Sequence, residues 1–331
     1  MSQPKRHHYL PVFYLKRWVG SRGRVCRYYR PRDRVVASDV GPDFTGYEEG
    51  LYQLDGTADP QMIETKFFRA VDNNAAPVLE SMLHEGPGAL DEDKRRSWTL
   101  FLMSMLMRSP HSLDEIGSVI NDFFRANLEK SHQSDYATSR QPDDPVSIYD
   151  FTMKRTPDLA QAYKAALPDM IDNDVIGKQI INMRWAMWAL SAAPYTLLTG
   201  DRRGSMPCAN ILTAAPYTLL TGDRPCMTSR GIADSGCMLS LPVSPTHLFV
   251  AAHDIELLRR LAAQPARDTV RNSNDCTVKL AVQNVYGCTA GQLTFIEKRL
   301  RKAEDPIVPG VILRGSVQSL PAACRIGAEG G

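Results

Sequence analysis

Residues 24–40 read RVCRYYRPRDRVVASDV, in which two alternating runs, 24–30 and 34–40, are parted by Pro31-Arg32-Asp33. A period of two sends successive side chains to opposite faces of a strand, and a Pro-x-Asp break between such runs is turn chemistry, so the spacing predicts a β-hairpin. Several of its arginines then line one exposed face. A short strand near residues 50–54 is expected to join it. Upstream, Leu10, Phe13, Tyr14 and Trp18 follow one another at helical offsets, which predicts an amphipathic helix with its aromatic face inward.

Downstream of the hairpin the period changes. Ile63, Phe67, Phe68, Val71, Ala75, Val78, Leu79 and Met82 recur at helical spacing through residues 59–83. Residues 91–108 open on acids and close on Arg108 before Pro110, the polarity that a helix dipole favours. Their stretch 100–107 is apolar almost all round and is expected to be a central, buried helix. Further helices are expected at 112–131, 158–168 and 173–190, with a flexible excursion over the polar residues 131–144. Residues 238–241 and 248–252 read as strands, 254–262 as a helix capped by Asp254, and 279–288 and 292–301 as helical segments. The fold class that follows is α+β, mainly helical, with a small antiparallel or mixed sheet built from the N-terminal hairpin and the C-terminal strands. We read residues 1–331 as one domain: a basic helix plus hairpin at 1–58, a helical core at 59–190, a strand region at 191–253, and C-terminal helices with a frayed tail at 254–331.

One feature inside the strand region is unusual. Residues 192–202 read AAPYTLLTGDR and residues 214–224 read AAPYTLLTGDR again. Solenoid repeats come in several drifting copies, so a single perfect copy reads as a tandem duplication within one structural unit. A strand ending in the Gly-Asp turn is expected, and a fold built for one such strand leaves two arrangements open. Either the copies line up as neighbours, or one fills the native position and the other is looped out.

The composition, 331 residues with 39 Lys plus Arg, 37 Asp plus Glu and 43% hydrophobic, is that of a globular chain with a real core, which excludes disorder and fibrous repeats. Charge is unevenly spread: residues 1–36 hold ten Lys or Arg and one acid, a formal +9 that leaves −7 on the other 295. Clustered guanidinium groups with interleaved aromatics suit phosphate contact and base stacking, so nucleic acid is a candidate partner and Arg24, Arg27 and Arg30 are the candidate contacts. The apolar stretch 100–107 falls far short of the roughly 20 residues that span a bilayer. Lys16 and Arg17 spoil the N-terminal patch as a signal peptide, so no membrane partner and a cytoplasmic location are expected. Seven scattered cysteines, none spaced Cys-x-x-Cys, fit free thiols in a reducing compartment. No Walker loop, Gly-x-Gly-x-x-Gly fingerprint, His-Glu-x-x-His or Gly-x-Ser-x-Gly elbow is present, which disfavours nucleotide-cofactor and α/β-hydrolase chemistry.

The opening His7-His8-Tyr9-Leu10-Pro11-Val12-Phe13-Tyr14-Leu15-Lys16-Arg17-Trp18 resembles the start of an uncharacterised bacterial family called domain of unknown function 4238. The likeness continues through Ile63-Glu64, Arg108-Ser109-Pro110 and Leu241-Pro242-Val243-Ser244-Pro245. Where the family has Ser-Asp-Asn-Pro this chain has Gly222-Asp223-Arg224-Pro225, so the family position is carried onto Asp223, with Asp201 as its duplicate. The resemblance implies a shared fold and supplies no established activity.

His7, His8, Glu64 and Asp223 are side chains of the kind that hold a divalent metal in a hydrolase, with Arg108 able to stabilise a phosphate or carboxylate. Two readings remain open on this evidence. In one the chain is a nucleic-acid-directed protein, a metal-dependent hydrolase or nuclease whose ligands or base are those residues. In the other it is a non-catalytic structural or interaction protein, and the same His, Glu, Asp and Arg residues form a buried polar network.

Overall fold

A computed structural model describes residues 6–156, 162–190, 218–302 and 304–305. The chain opens on strand β1 (Arg6–His8), turns at Pro11, and enters the short helix α1 (Val12–Leu15), which continues as a 3-10 turn through Trp18. The single amphipathic helix expected here is thus a strand and a helical turn. Proline at the N-cap has no N–H to extend the strand and presets the helical entry. Tyr14, Leu15 and Trp18 face the core as the spacing requires.

The hairpin forms as expected, from β2 (Val25–Tyr29) and β3 (Val36–Val40) paired antiparallel. After it, β4 (Tyr47–Glu49) pairs with β1. Next come a π-helical turn, Ile63–Phe68, and α2 (Arg69–Glu85). Helix α3 (Glu92–Met107), capped by Asp91, is buried on most of its circumference through Trp98, Phe101, Leu102, Met103 and Met105. Helix α4 (Pro110–Ser139) continues through residues 131–139 of the segment 131–144 expected to be a flexible excursion, leaving only 140–144 outside it. Its polar end is tied down by α5 (Ile148–Arg155) and the loop before it: Gln133 accepts from the Ile148 N–H and Tyr136 donates to the Pro145 carbonyl.

Helices α6 (Leu167–Ile171) and α7 (Asp174–Asn182) follow, and α7 stops where a helix to residue 190 was expected. Residues 184–189 are instead strand β5 (Arg184–Ala189), in register with β9 (His247–Ala252) over six residues. A run with five apolar residues in six suits either structure, and the available strand partner decides. Between them lie β6 (Thr221–Gly222), β7 (Met227–Thr228) and β8 (Met238–Ser244). Helices α8 (Ile255–Ala262) and α9 (Ala266–Leu280), strand β10 (Asn284–Gly287) and α10 (Leu293–Glu297) complete the described chain. The expected helix 279–288 therefore ends at Leu280, because residues 284–287 are claimed by strands on both sides.

The strands make three sheets, ordered β1-β4, β3-β2-β10-β6 and β5-β9-β8-β7, all antiparallel. The last sheet packs Leu239, Leu241, Val243, Phe249 and Ala251 on the helical core, and Leu248, Val250 and Ala252 with Leu258 of α8 and Val270 of α9 in a second apolar layer. The result is the α+β architecture that the sequence predicts. Among the described residues no helix is long and apolar enough to cross a membrane.

Candidate functional site

The first strand is threaded between the π-helical turn and the end of α3. There the His8 N–H donates to Glu64 Oε1 at 3.2 Å, and the His8 carbonyl accepts from Arg108 Nη2 at 2.7 Å. Arg108, 1% exposed, reaches back from the C-cap of α3 to make two bonds to the Asp72 carboxylate, at 2.8 and 3.1 Å, while its guanidinium lies 4.7 Å from the Phe68 ring. Such a fork-to-fork pair is among the stronger polar contacts a protein makes. Burial pulls the Arg108 pKa down, but the Asp72 charge outweighs it and the guanidinium is held above its ordinary range.

His7 faces the other way, fully buried. The Tyr52 N–H donates to its Nδ1 at 2.9 Å, so the ring proton sits on Nε2, which bonds Gln61 Oε1. Tyr52 stacks on the His7 ring and donates its own hydroxyl to the Arg108 carbonyl at 2.5 Å. Asp72, Tyr52 and Gln61 were not picked out from sequence, although the arginine that ends a buried helix was itself a signal that an acid must be near.

Three polar atoms of this one cluster are buried without a hydrogen-bond partner among the described residues: His8 Nε2, Glu64 Oε2 and Arg108 Nε. Burial pushes Glu64 up from its ordinary 4.5 to about 7, against the opposing pull of Arg108 and the His8 N–H. Burial also lowers the His8 imidazole, helped by the Arg108 charge and opposed by a bond to the Asp43 backbone carbonyl. Glu64 belongs to the π-helical turn, a backbone geometry that is rare and recurs at functional sites.

Outside the cluster, Arg6 at the start of β1 is exposed, its guanidinium 4.9 Å from the Tyr47 ring and 5.3 Å from that of Phe44. Tyr47 in turn lies 5.4 Å from the His8 ring, and Phe44 is 57% exposed. A cation and two aromatic faces therefore adjoin the cluster on its solvent side.

Asp223 lies elsewhere. Its buried carboxylate accepts the backbone N–H groups of Val282, Gln283 and Asn284 at 2.9, 2.6 and 2.9 Å, fixing the start of β10. Burial raises its pKa and those three donors oppose the rise. Among the described residues no three of His, Cys, Asp and Glu come together in a way that could hold a metal ion. The site residues expected together are thus divided: His8, Glu64 and Arg108 meet, His7 adjoins them through Tyr52, and Asp223 serves the second sheet.

The three arginines expected to contact nucleic acid are divided as well. Arg24 is exposed, and Arg27 lies over the Tyr29 ring at 4.4 Å. Arg30 is turned inward, donating to the carbonyls of Glu297 and Leu300 at 2.8 and 3.2 Å and pairing with the Glu297 carboxylate at 3.3 Å.

Comparison with known proteins yields one family. The model of a family described as Protein of unknown function (DUF4238) matches residues 6–291, which is most of the chain, and the protein belongs to that family. No curated protein and no solved structure matches it.

Proposed function

We propose that this family member is a nucleic-acid-directed hydrolase whose acid and base are Glu64 and His8. The observation that carries the reading is the gathering of three buried, unpartnered polar atoms in one cluster, since each such atom costs free energy that a bound substrate or water would repay. A carboxyl brought to about 7 and an imidazole held neutral are a matched pair at neutral pH. In phosphodiester hydrolysis the water oxygen would bond to phosphorus as its proton passes to His8 Nε2. The bond to the leaving oxygen breaks as Glu64 gives that oxygen its proton, and transfer from His8 back to Glu64 restores the starting state. Arg108 supplies positive charge beside both groups. Arg6, Phe44 and Tyr47 offer the cation and stacking faces that hold a single strand.

The test uses labelled single- and double-stranded DNA and RNA, with and without added divalent metal, across a salt series. Wild type is expected to bind and shorten a probe, His8→Gln and Glu64→Gln to bind without cleaving, and Arg6→Ala with Phe44→Ala to bind more weakly. A wild-type protein that neither binds nor cleaves any probe at low salt overturns the proposal.

A second reading has its own observation. Both Nη atoms of Arg108 are already engaged by Asp72 and by the His8 main chain, which is how a scaffolding network would use them. On that reading the cluster anchors β1 to the helices and the protein acts as a structural or interaction module. His8→Gln would then change stability and leave every nucleic-acid readout flat.

A further inference from the structure

Residues 218–223 of the second of the two identical segments occupy a deep slot. Leu219 and Leu220, both fully buried, point into different apolar layers, Leu219 among Leu248, Val250 and Leu258 and Leu220 among Tyr28, Val278 and Val285. Asn274 and Gln292 both donate to the Thr218 carbonyl at 2.9 Å, and Asn274 Oδ1 accepts the Leu220 N–H at 2.8 Å. Trp18 donates to the Leu219 carbonyl, Tyr14 bonds Thr221 Oγ1, Thr221 and Gly222 pair with β10, and Asp223 fixes its start. Every one of these bonds is made by residues 218–223, TLLTGD, and residues 196–201 are TLLTGD too. The first copy, 192–202, lies outside the described residues.

We propose that the slot is degenerate, so that the first copy can replace the second within it and the chain carries a spare for one of its own core strands. The reach is sufficient. Leu190, next after β5, donates to the Thr246 carbonyl at 2.7 Å and Leu219 donates to the adjacent Pro245 carbonyl at 2.8 Å, so the two amides lie within about 12 Å. The six residues between Leu190 and Leu197 span up to roughly 24 Å when extended. Downstream, three residues join Asp223 to β7, and 25 would join Asp201 to it. Upstream, the same exchange shortens the connection from Leu190 from 28 residues to six; since closure cost grows only slowly with loop length, the gain and the loss nearly cancel and the two arrangements differ by about twofold on that account. The flanks break the tie: buried Pro225 and Cys226 follow the second copy, and Arg203 stands where the proline would follow the first.

Deleting residues 192–213 or residues 203–224 gives one and the same single-copy chain, which supplies the reference for the test. Unfolding constants are compared for Asp223→Ala, Asp201→Ala and the double variant in the full chain, and for the aspartate-to-alanine change in the single-copy chain. Asp201→Ala is expected to match wild type. The double variant and the substituted single-copy chain should raise the constant at least a hundredfold, and Asp223→Ala alone at least tenfold less than the double, because the first copy takes over. Asp223→Ala as damaging as the double overturns the proposal. Should the double fail to fold, Gly200→Cys with Val285→Cys in the Asp223→Ala chain decides: Val285 is the β10 partner of the slot glycine. Peptide mapping after mild oxidation should find the 200–285 disulfide, and its absence from folded protein overturns the exchange.

Discussion

Replacing Glu64 by glutamine tests the electrostatics of the candidate site without disturbing its shape. The carboxyl is brought from 4.5 to about 7 on folding. Between those values the folded chain holds a proton that the unfolded chain has released, so stability falls by about 1.4 kcal/mol per pH unit as the pH rises, a total of about 3 kcal/mol. The contribution is fully present below pH 4.5 and lost as the pH passes through 7. His8 acts with the opposite sign, since a lowered imidazole pKa contributes stability that is lost on acidification; the comparison is therefore made in a His8→Gln background. Glutamine keeps an oxygen for the His8 N–H and cannot ionise. Urea unfolding at pH 4, 6, 7 and 8 should show the two chains equal at pH 4, with Glu64→Gln the more stable at pH 8 by up to about 3 kcal/mol. Parallel pH profiles, or a glutamine variant weaker than its parent at pH 8, would refute the claim that burial dominates at this carboxyl.

Asp72→Ala strands the Arg108 guanidinium in the core and should cost about 3–5 kcal/mol in the same unfolding assay; a loss below 1 kcal/mol would mean that the pair is no anchor. Gly117→Ala places a Cβ 2.7 Å from the Tyr163 ring and should destabilise by about 1–3 kcal/mol, with Tyr163→Ala in the same chain recovering part of the loss. Additive losses would rule out the contact. Arg30→Ala removes its bonds to the end of α10 and should lower the melting temperature while leaving nucleic-acid affinity unchanged, the reverse of Arg6→Ala.

What sequence could reveal divides along a physical line. The 24–40 hairpin and α3 were legible because period two, a turn signal, a capping acid and an apolar run are all local. Strands β5 and β10 were not, since their residues suit a helix equally well and only the partners β9 and β2, tens to hundreds of residues away, decide between them. Helix α4 was cut short for a related reason: Gln133 and Tyr136 look like loop composition until Pro145 and Ile148 supply their bonds. Within the site, His8, Glu64 and Arg108 could be named from residue type and resemblance. Asp72 on α2 is an ordinary surface-type acid until the fold folds Arg108 back over it, and no spacing rule links the two. By residue type Asp223 reads as a metal ligand, whereas the three backbone N–H groups that it serves leave no trace in side-chain chemistry.

Strand β2 lies between β3 and β10, so one edge of a strand made early waits for residues 284–287. At about 5–20 residues per second, the ribosome needs roughly 13–50 s to travel from Tyr29 to Gly287. For all of that interval the hairpin is an open edge bearing Cys26 and Tyr28, both destined for the interior. Birth of this protein is therefore sequential in synthesis but nearly simultaneous in folding: its beginning cannot settle until its end has been made, and a ribosome stalled after β9 would release a chain with that edge still uncovered.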